Sequence, residues 1–138
     1  MTEIFRQHQP IEILLANGDR LLAELSIWDR DETDSVRLDL AFSEQIITKR
    51  ADTYFEAMQL IRQDLEPQDM LLICYGASLN VYPSPMILDM GDGEIAYKLE
   101  LGKDAKQINL VSIFDMGSDV IPATVAEQND FYQRWLSS

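Results

Sequence analysis

The chain has 138 residues, and its 24 Asp and Glu outweigh 11 Lys and Arg to give a formal net charge of −13 with His8 neutral. At 46% apolar residues it has the material for a core, so it is not a disordered acidic tail, and the length suits one domain. This acidity speaks against non-specific nucleic-acid binding, which needs a basic face, and against anionic membrane surfaces. It points instead to cationic partners, basic proteins or metal ions. One cysteine, Cys74, allows no internal disulfide. Met1 to Pro10 shows no apolar signal-peptide run and the longest apolar runs are too short for a bilayer, so a cytoplasmic location is expected.

In chain order, Ile11–Ala16 and Leu21–Trp28 flank Asn17-Gly18, which predicts a hairpin with a type I′ turn. The charged loop Asp29–Ser35 leads to a half-buried strand in which Val36, Leu38, Leu40 and Phe42 share one face. Thr53 and Glu56 have capping-box spacing, and Phe55, Met58, Ile61 and Leu65 recur at helical intervals until Pro67, which predicts a helix over 52–66. The apolar run Met70–Tyr75 reads as a strand buried on both faces. Ser84, Pro85 and Gly91 bracket one or two helical turns. Ile95–Leu101 alternates as a strand, Gln107–Phe114 is a further strand candidate, and Thr124 and Glu127 cap a C-terminal helix whose Phe131, Tyr132, Trp135 and Leu136 lie near one face. No repeat, linker or low-complexity segment interrupts the chain. About six strands, mostly next to strands, with two main helices predict a single α+β domain with a mainly antiparallel sheet.

Reactive chemistry finds little footing. One histidine and one cysteine cannot supply a zinc site. Asp29–Asp34 loosely resembles a calcium loop but lacks its central Gly and distal Glu. Cys74 sits in the apolar LLICYG with no cation nearby in sequence, so an inert buried thiol is expected, and His8 falls in an N-terminal segment expected to be mobile. There is no Gly-x-Ser-x-Gly elbow, and Met90-Gly91-Asp92-Gly93 lacks the third glycine and the neutral surroundings of a phosphate loop. Asp89, Asp92 and Glu94 cluster, as do Asp115 and Asp119, but a catalytic pair needs a shared cleft. No cofactor is expected.

The charge distribution says more. No basic residue occurs from Gln63 to Tyr97 or from Gln107 to Gln133, while the first stretch alone carries Asp64, Glu66, Asp69, Asp89, Asp92 and Glu94. Blocks of like charge repel one another, so they need a reason: solubility, or a docking surface for a cationic partner.

The central segment, CYGASLNVYPSPM over 74–86, then DMGDG over 89–93, Ala96-Tyr97-Lys98-Leu99 and Gly102-Lys103, resembles immunity proteins of bacterial contact-dependent growth inhibition and polymorphic toxin systems. The likeness covers about a quarter of the chain and lies in structural grammar: a strand ending in Gly, a Val-Tyr-Pro-Ser turn, Met-Gly-x-Gly. It implies a non-enzymatic protein that binds and neutralises a cognate toxin domain, often a nuclease with a basic active face. Candidate anchors are Asp29, Asp31, Glu32 and Asp34 in one group and Asp89, Asp92 and Glu94 in another, with Trp28 or Tyr82 as an aromatic anchor. Two other readings stay open. One is a small enzyme or ligand-binding domain with a carboxylate-lined pocket, though a small-molecule ligand is not expected. The other is an assembly component that dimerises through the aromatic face of its C-terminal helix.

Overall fold

A computed structural model describes residues 4–89 and 91–138. Met1 to Glu3, and Met90 of the Met-Gly-x-Gly motif, lie outside these. The chain is α+β. Strands β1 (Ile4–Leu14), β2 (Arg20–Asp29), β3 (Val36–Phe42), β4 (Gln45–Ala51) and β5 (Leu71–Ile73) form an antiparallel sheet in the order β4-β3-β2-β1-β5. A second antiparallel sheet holds β6 (Val81–Tyr82), β7 (Ile95–Lys98) and β8 (Leu110–Ser112) in the order β6-β7-β8. The α-helices are α1 (Tyr54–Leu65), the single turn α2 (Pro85–Leu88) and α3 (Val125–Leu136).

Alternation builds the large sheet. Ile11, Ile13, Ala23, Leu25, Ile27, Val36, Leu38, Leu40 and Phe42 all point to one face and are buried. Helix α1 covers that face with Tyr54, Phe55, Ala57, Met58, Ile61 and Leu65. Each fully buried Ile or Leu contributes about 2 kcal/mol. Thr53 starts α1 by accepting the Glu56 amide at 3.2 Å. Thr124 and Glu127 start α3 with a reciprocal capping box.

Several expectations change. The first hairpin closes through a longer turn: Leu15 and Asp19 pair, and only Gly18 (φ 90°) is left-handed, so Asn17-Gly18 is not a two-residue type I′ turn. Its first strand starts at Ile4, not Ile11, because Ile4 and Phe5 pair with Asp29 and Trp28 at the far end of β2; His8 is therefore strand, not mobile tail. Strand β4 went unforeseen because QIITKRA has no clean alternation and its turn, Ser43-Glu44, adopts positive φ without Gly or Asn. The Met70–Tyr75 run is a three-residue edge strand, Leu71–Ile73, and just beyond it the Tyr75 and Gly76 amides donate to the Asp115 and Ile113 carbonyls. Ile95–Leu101 stops as strand at Lys98, and Gln107–Phe114 keeps only Leu110–Ser112, with Gln107–Asn109 a 3-10 turn. Eight strands and three α-helices thus stand among the described residues, where about six strands and two main helices were expected.

Helix α3 does not dock by a wholly buried aromatic face: Phe131, Tyr132 and Trp135 are half-buried and Leu136 is exposed. A buried polar clasp holds it. Gln128 sends its amide nitrogen to the Ser78, Val81 and Gly76 carbonyls at 2.8, 2.9 and 3.0 Å. Its carbonyl oxygen accepts from Arg62 of α1 at 2.6 Å, and Arg62 also donates to the Ala123 carbonyl at 2.9 Å. Arg62 is 1% exposed, and burial pulls its pKa down.

Candidate functional site

The two acidic groups named above meet in space, where they serve the fold. Arg30 donates to Asp92 at 2.9 Å and to Asp34 at 3.3 Å, joining the Asp29–Asp34 loop to the turn before β7. Arg6 of β1 holds both carboxylate oxygens of Glu94, at 2.7 and 2.9 Å, and this raises its own pKa. Asp31, with a side chain only 2% exposed, caps the Thr33 amide at 2.8 Å, accepts from the Thr33 hydroxyl and pairs with Arg50 at 2.7 Å. The Thr33 hydroxyl is the main cause of its lowered pKa. Asp29 faces the Tyr54 hydroxyl at 3.4 Å, Glu32 lies on the exposed part of the loop, and Asp89 is exposed after α2.

The sequence blocks of negative charge are therefore partly bridged in space. Asp64 pairs with Lys49 at 3.0 Å and Asp119 with Lys98 at 3.2 Å, while Glu66 accepts the Val125 amide at the start of α3 at 2.8 Å. Bases distant in sequence reach into both base-free stretches, which is why a reading along the chain overstated the segregation.

Trp28 is also committed within the chain. Its Nε1 donates to Asp39 at 3.1 Å, Arg37 stands 4.5 Å over its ring, and Phe5 meets it edge-on at 5.1 Å. On the same outer face of the sheet, Ser26 and Glu24 both approach His8 Nδ1, at 2.8 and 3.4 Å. A nucleophile–base–carboxylate relay needs them on opposite ring nitrogens. Asp31 and Asp119, the carboxylates displaced from their usual range, are both displaced downward by hydrogen bonds, the reverse of a general acid. Among the described residues no group of three His, Cys, Asp or Glu side chains is placed to hold a metal ion, and no helix is long and apolar enough to cross a membrane.

Tyr82 is where the surface remains open. It stacks on Tyr132 at 4.0 Å and meets Phe55 edge-on at 5.0 Å, and its other side opens on a groove of about 420 Å³ between α1 and α2. Phe55, Glu56, Gln59, Leu60, Gln63, Tyr82 and Leu88 line it. The lining is mixed, with Phe55, Leu60, Tyr82 and Leu88 beside Gln59, Gln63 and one charge, Glu56; Asp89 follows Leu88, and Met86 of α2 is 73% exposed. Ser84 caps α2 through the Ile87 amide at 3.2 Å, and Pro85 opens it, which fixes this short wall. Of the candidate residues, the structure gathers Tyr82 and the neighbourhood of Asp89 here; Asp31, Asp34, Asp92 and Glu94 stand in ion pairs within the chain, Trp28 and Asp29 in other internal contacts, and Glu32 on the exposed loop. The lining on α1 was missed, although Leu60 offered a signal: an apolar residue off the Phe55–Met58–Ile61–Leu65 stripe.

Cys74 lies 3.7 Å from the Met58 sulfur, fully buried, and burial pushes its thiol up to about 11 against 9.0 for a free one. The neutral native thiol contributes stability that is complete below pH 9 and is lost as pH rises toward 11. By pH 10.5 the expected loss from this group is about 2 kcal/mol. Urea midpoints at pH 7 and pH 10.5 should accordingly fall more for the native protein than for Cys74→Ala; equal falls would contradict the assignment.

No family model matches the chain, and no curated protein matches it.

Proposed function

We propose that the protein is a non-enzymatic binding protein that docks a basic protein domain in the groove between α1 and α2. In line with the resemblance of its central segment, that domain is a cognate toxin of the growth-inhibition kind. The observation that carries this reading is the groove itself: Phe55, Leu60, Tyr82 and Leu88 interleaved with two glutamines, its only lining charge the negative Glu56, and an exposed Met86 on the same short helix as Leu88. Aromatic and aliphatic side chains in a partly desolvated depression beside a charge match the anatomy of a binding hot spot. The overall charge of −13 adds long-range attraction for a basic partner, which acts chiefly on the association rate.

The test is binding of the toxin domain encoded beside this chain's gene, measured by calorimetry and by rapid mixing at low and high salt. Glu56→Arg and Met86→Arg together should weaken binding on the order of 100-fold, at a cost of only about 1 kcal/mol in stability, because both side chains are exposed and Glu56 sits in the first turn of α1. Asp104→Arg, on an exposed loop outside the groove lining, should change it little. Absence of binding, or an equal loss from Asp104→Arg, overturns the reading.

A further inference from the structure

The large sheet ends on β4, and this edge is unusually regular. The two-residue turn Ser43-Glu44 makes Phe42 and Gln45 a hydrogen-bonded pair, and six further consecutive pairs with β3 follow without a bulge. Alternation then turns the amides and carbonyls of Ile47 and Lys49 toward β3 and those of Ile46 and Thr48 away from the sheet. No group among the described residues bonds to Ile46 or Thr48 there, and the Ile46 side chain is 71% exposed. Edges are ordinarily guarded by Pro, by bulges or by free Lys and Arg. This strand has no Pro, and its two bases are drawn off the edge: Lys49 to Asp64 of α1 at 3.0 Å, and Arg50 to Asp31 at 2.7 Å. The opposite edge, β5, is three residues long and runs into chain that is already hydrogen-bonded.

We propose that β4 is a self-association edge, at which a second copy of this chain pairs its own β4 antiparallel and continues the sheet across a two-fold axis. The sequence of the strand is self-complementary in one register. With Ile47 opposite the partner's Ile47, Ile46 exchanges backbone hydrogen bonds with the partner's Thr48. Gln45 then faces the partner's Lys49. This register sets β-branched residues against each other, and no like charges meet. Shifting the axis to Thr48 puts Ile46 opposite an arginine instead. This surface is distinct from the groove in position: it is the outer edge of the large sheet, whereas α1, β6 and α2 line the groove. Closed two-fold pairing also uses up the edge, so it ends in a dimer and not a fibre.

Sedimentation analysis over a wide concentration range tests the proposal. The native chain should sediment as a dimer in equilibrium with monomer. Thr48→Pro removes an outward amide that its own fold does not use, so the variant should keep its circular dichroism and melting behaviour. Its dimer dissociation constant should rise about 30-fold, as each copy loses one inter-copy donor. Cysteine scanning fixes the register: Ile47→Cys should form an inter-copy disulfide under mild oxidation, and Thr48→Cys should not. A strictly monomeric native chain, a dimer indifferent to Thr48→Pro, or cross-linking at 48 in place of 47 overturns it.

Discussion

Replacing Arg62 by alanine is expected to lower stability by about 4 kcal/mol, the largest single effect on this molecule. The guanidinium is 1% exposed and bridges three segments that are remote in sequence: α1 itself, the turn at Gly76 and the approach to α3 at Ala123. Its removal leaves the Gln128 oxygen and the Ala123 carbonyl buried without a donor, each a penalty of about 1–3 kcal/mol, and opens a cavity where the side chain lay. No carboxylate sits within ion-pair distance among the described partners, so the charge is carried by carbonyl dipoles, consistent with a pKa lowered by burial. Equilibrium urea unfolding reads the effect directly. Arg62→Met, which keeps the stem but not the donors, should recover only the packing share. A loss below about 1 kcal/mol for Arg62→Ala would show that the orphaned acceptors find water, and that the clasp is not what holds α3.

Gly76→Ala should be nearly as damaging, at about 3 kcal/mol. An added methyl there would lie 2.5 Å from the Met58 sulfur, 2.8 Å from Ile113 Cβ and 3.1 Å from the Ile113 carbonyl oxygen. The Met58 side chain can swing aside, but Ile113 Cβ moves only with its backbone. That backbone accepts the Gly76 amide at 2.9 Å. The strain must therefore push apart the seam that closes the flank of β5. Thermal unfolding of Gly76→Ala, Met58→Ala and the double variant separates the two contacts. In the Met58→Ala background the glycine substitution should still cost nearly as much, because the clash with Ile113 remains; a negligible cost there would place the whole effect on Met58.

Much of the fold was legible because local physics dictates it. The alternation of Val36, Leu38, Leu40 and Phe42 needed only the pleat, and all four are buried. The Thr53 and Thr124 caps needed only the unpaired amides of a helix start, and both hydroxyls are used as expected. The short turn at Ser84-Pro85 was visible for the same reason. Strand β4 was not, because an edge strand beside a solvated outer face has no hydrophobic period to show. Its turn, too, is made by Ser and Glu and not by Gly. The apolar run of Met70–Tyr75 misled in the opposite direction. Burial on both faces arises equally in a central strand and in an edge strand whose flank another segment covers, and sequence cannot separate the two.

The candidate site was legible only in pieces. Tyr82 stood out in the central segment, and the structure places it on the groove, but the residues opposite it come from α1 and share no sequence pattern with it.

The sequence by itself determined an acidic α+β chain with a buried, inert thiol. These follow from counts and short-range periodicities that survive any tertiary arrangement. Only the tertiary structure decided what the charge does. Arg6, Arg30, Lys49 and Arg50 cross the molecule to meet Glu94, Asp92, Asp64 and Asp31, so part of what looks like open acidic block along the chain is paired inside the fold. Electrostatic pairing acts over a few ångströms of space and is indifferent to distance along the backbone. That is why the map of negative charge had to be redrawn, and why the groove at Tyr82 rather than the Asp29–Asp34 loop became the surface to test.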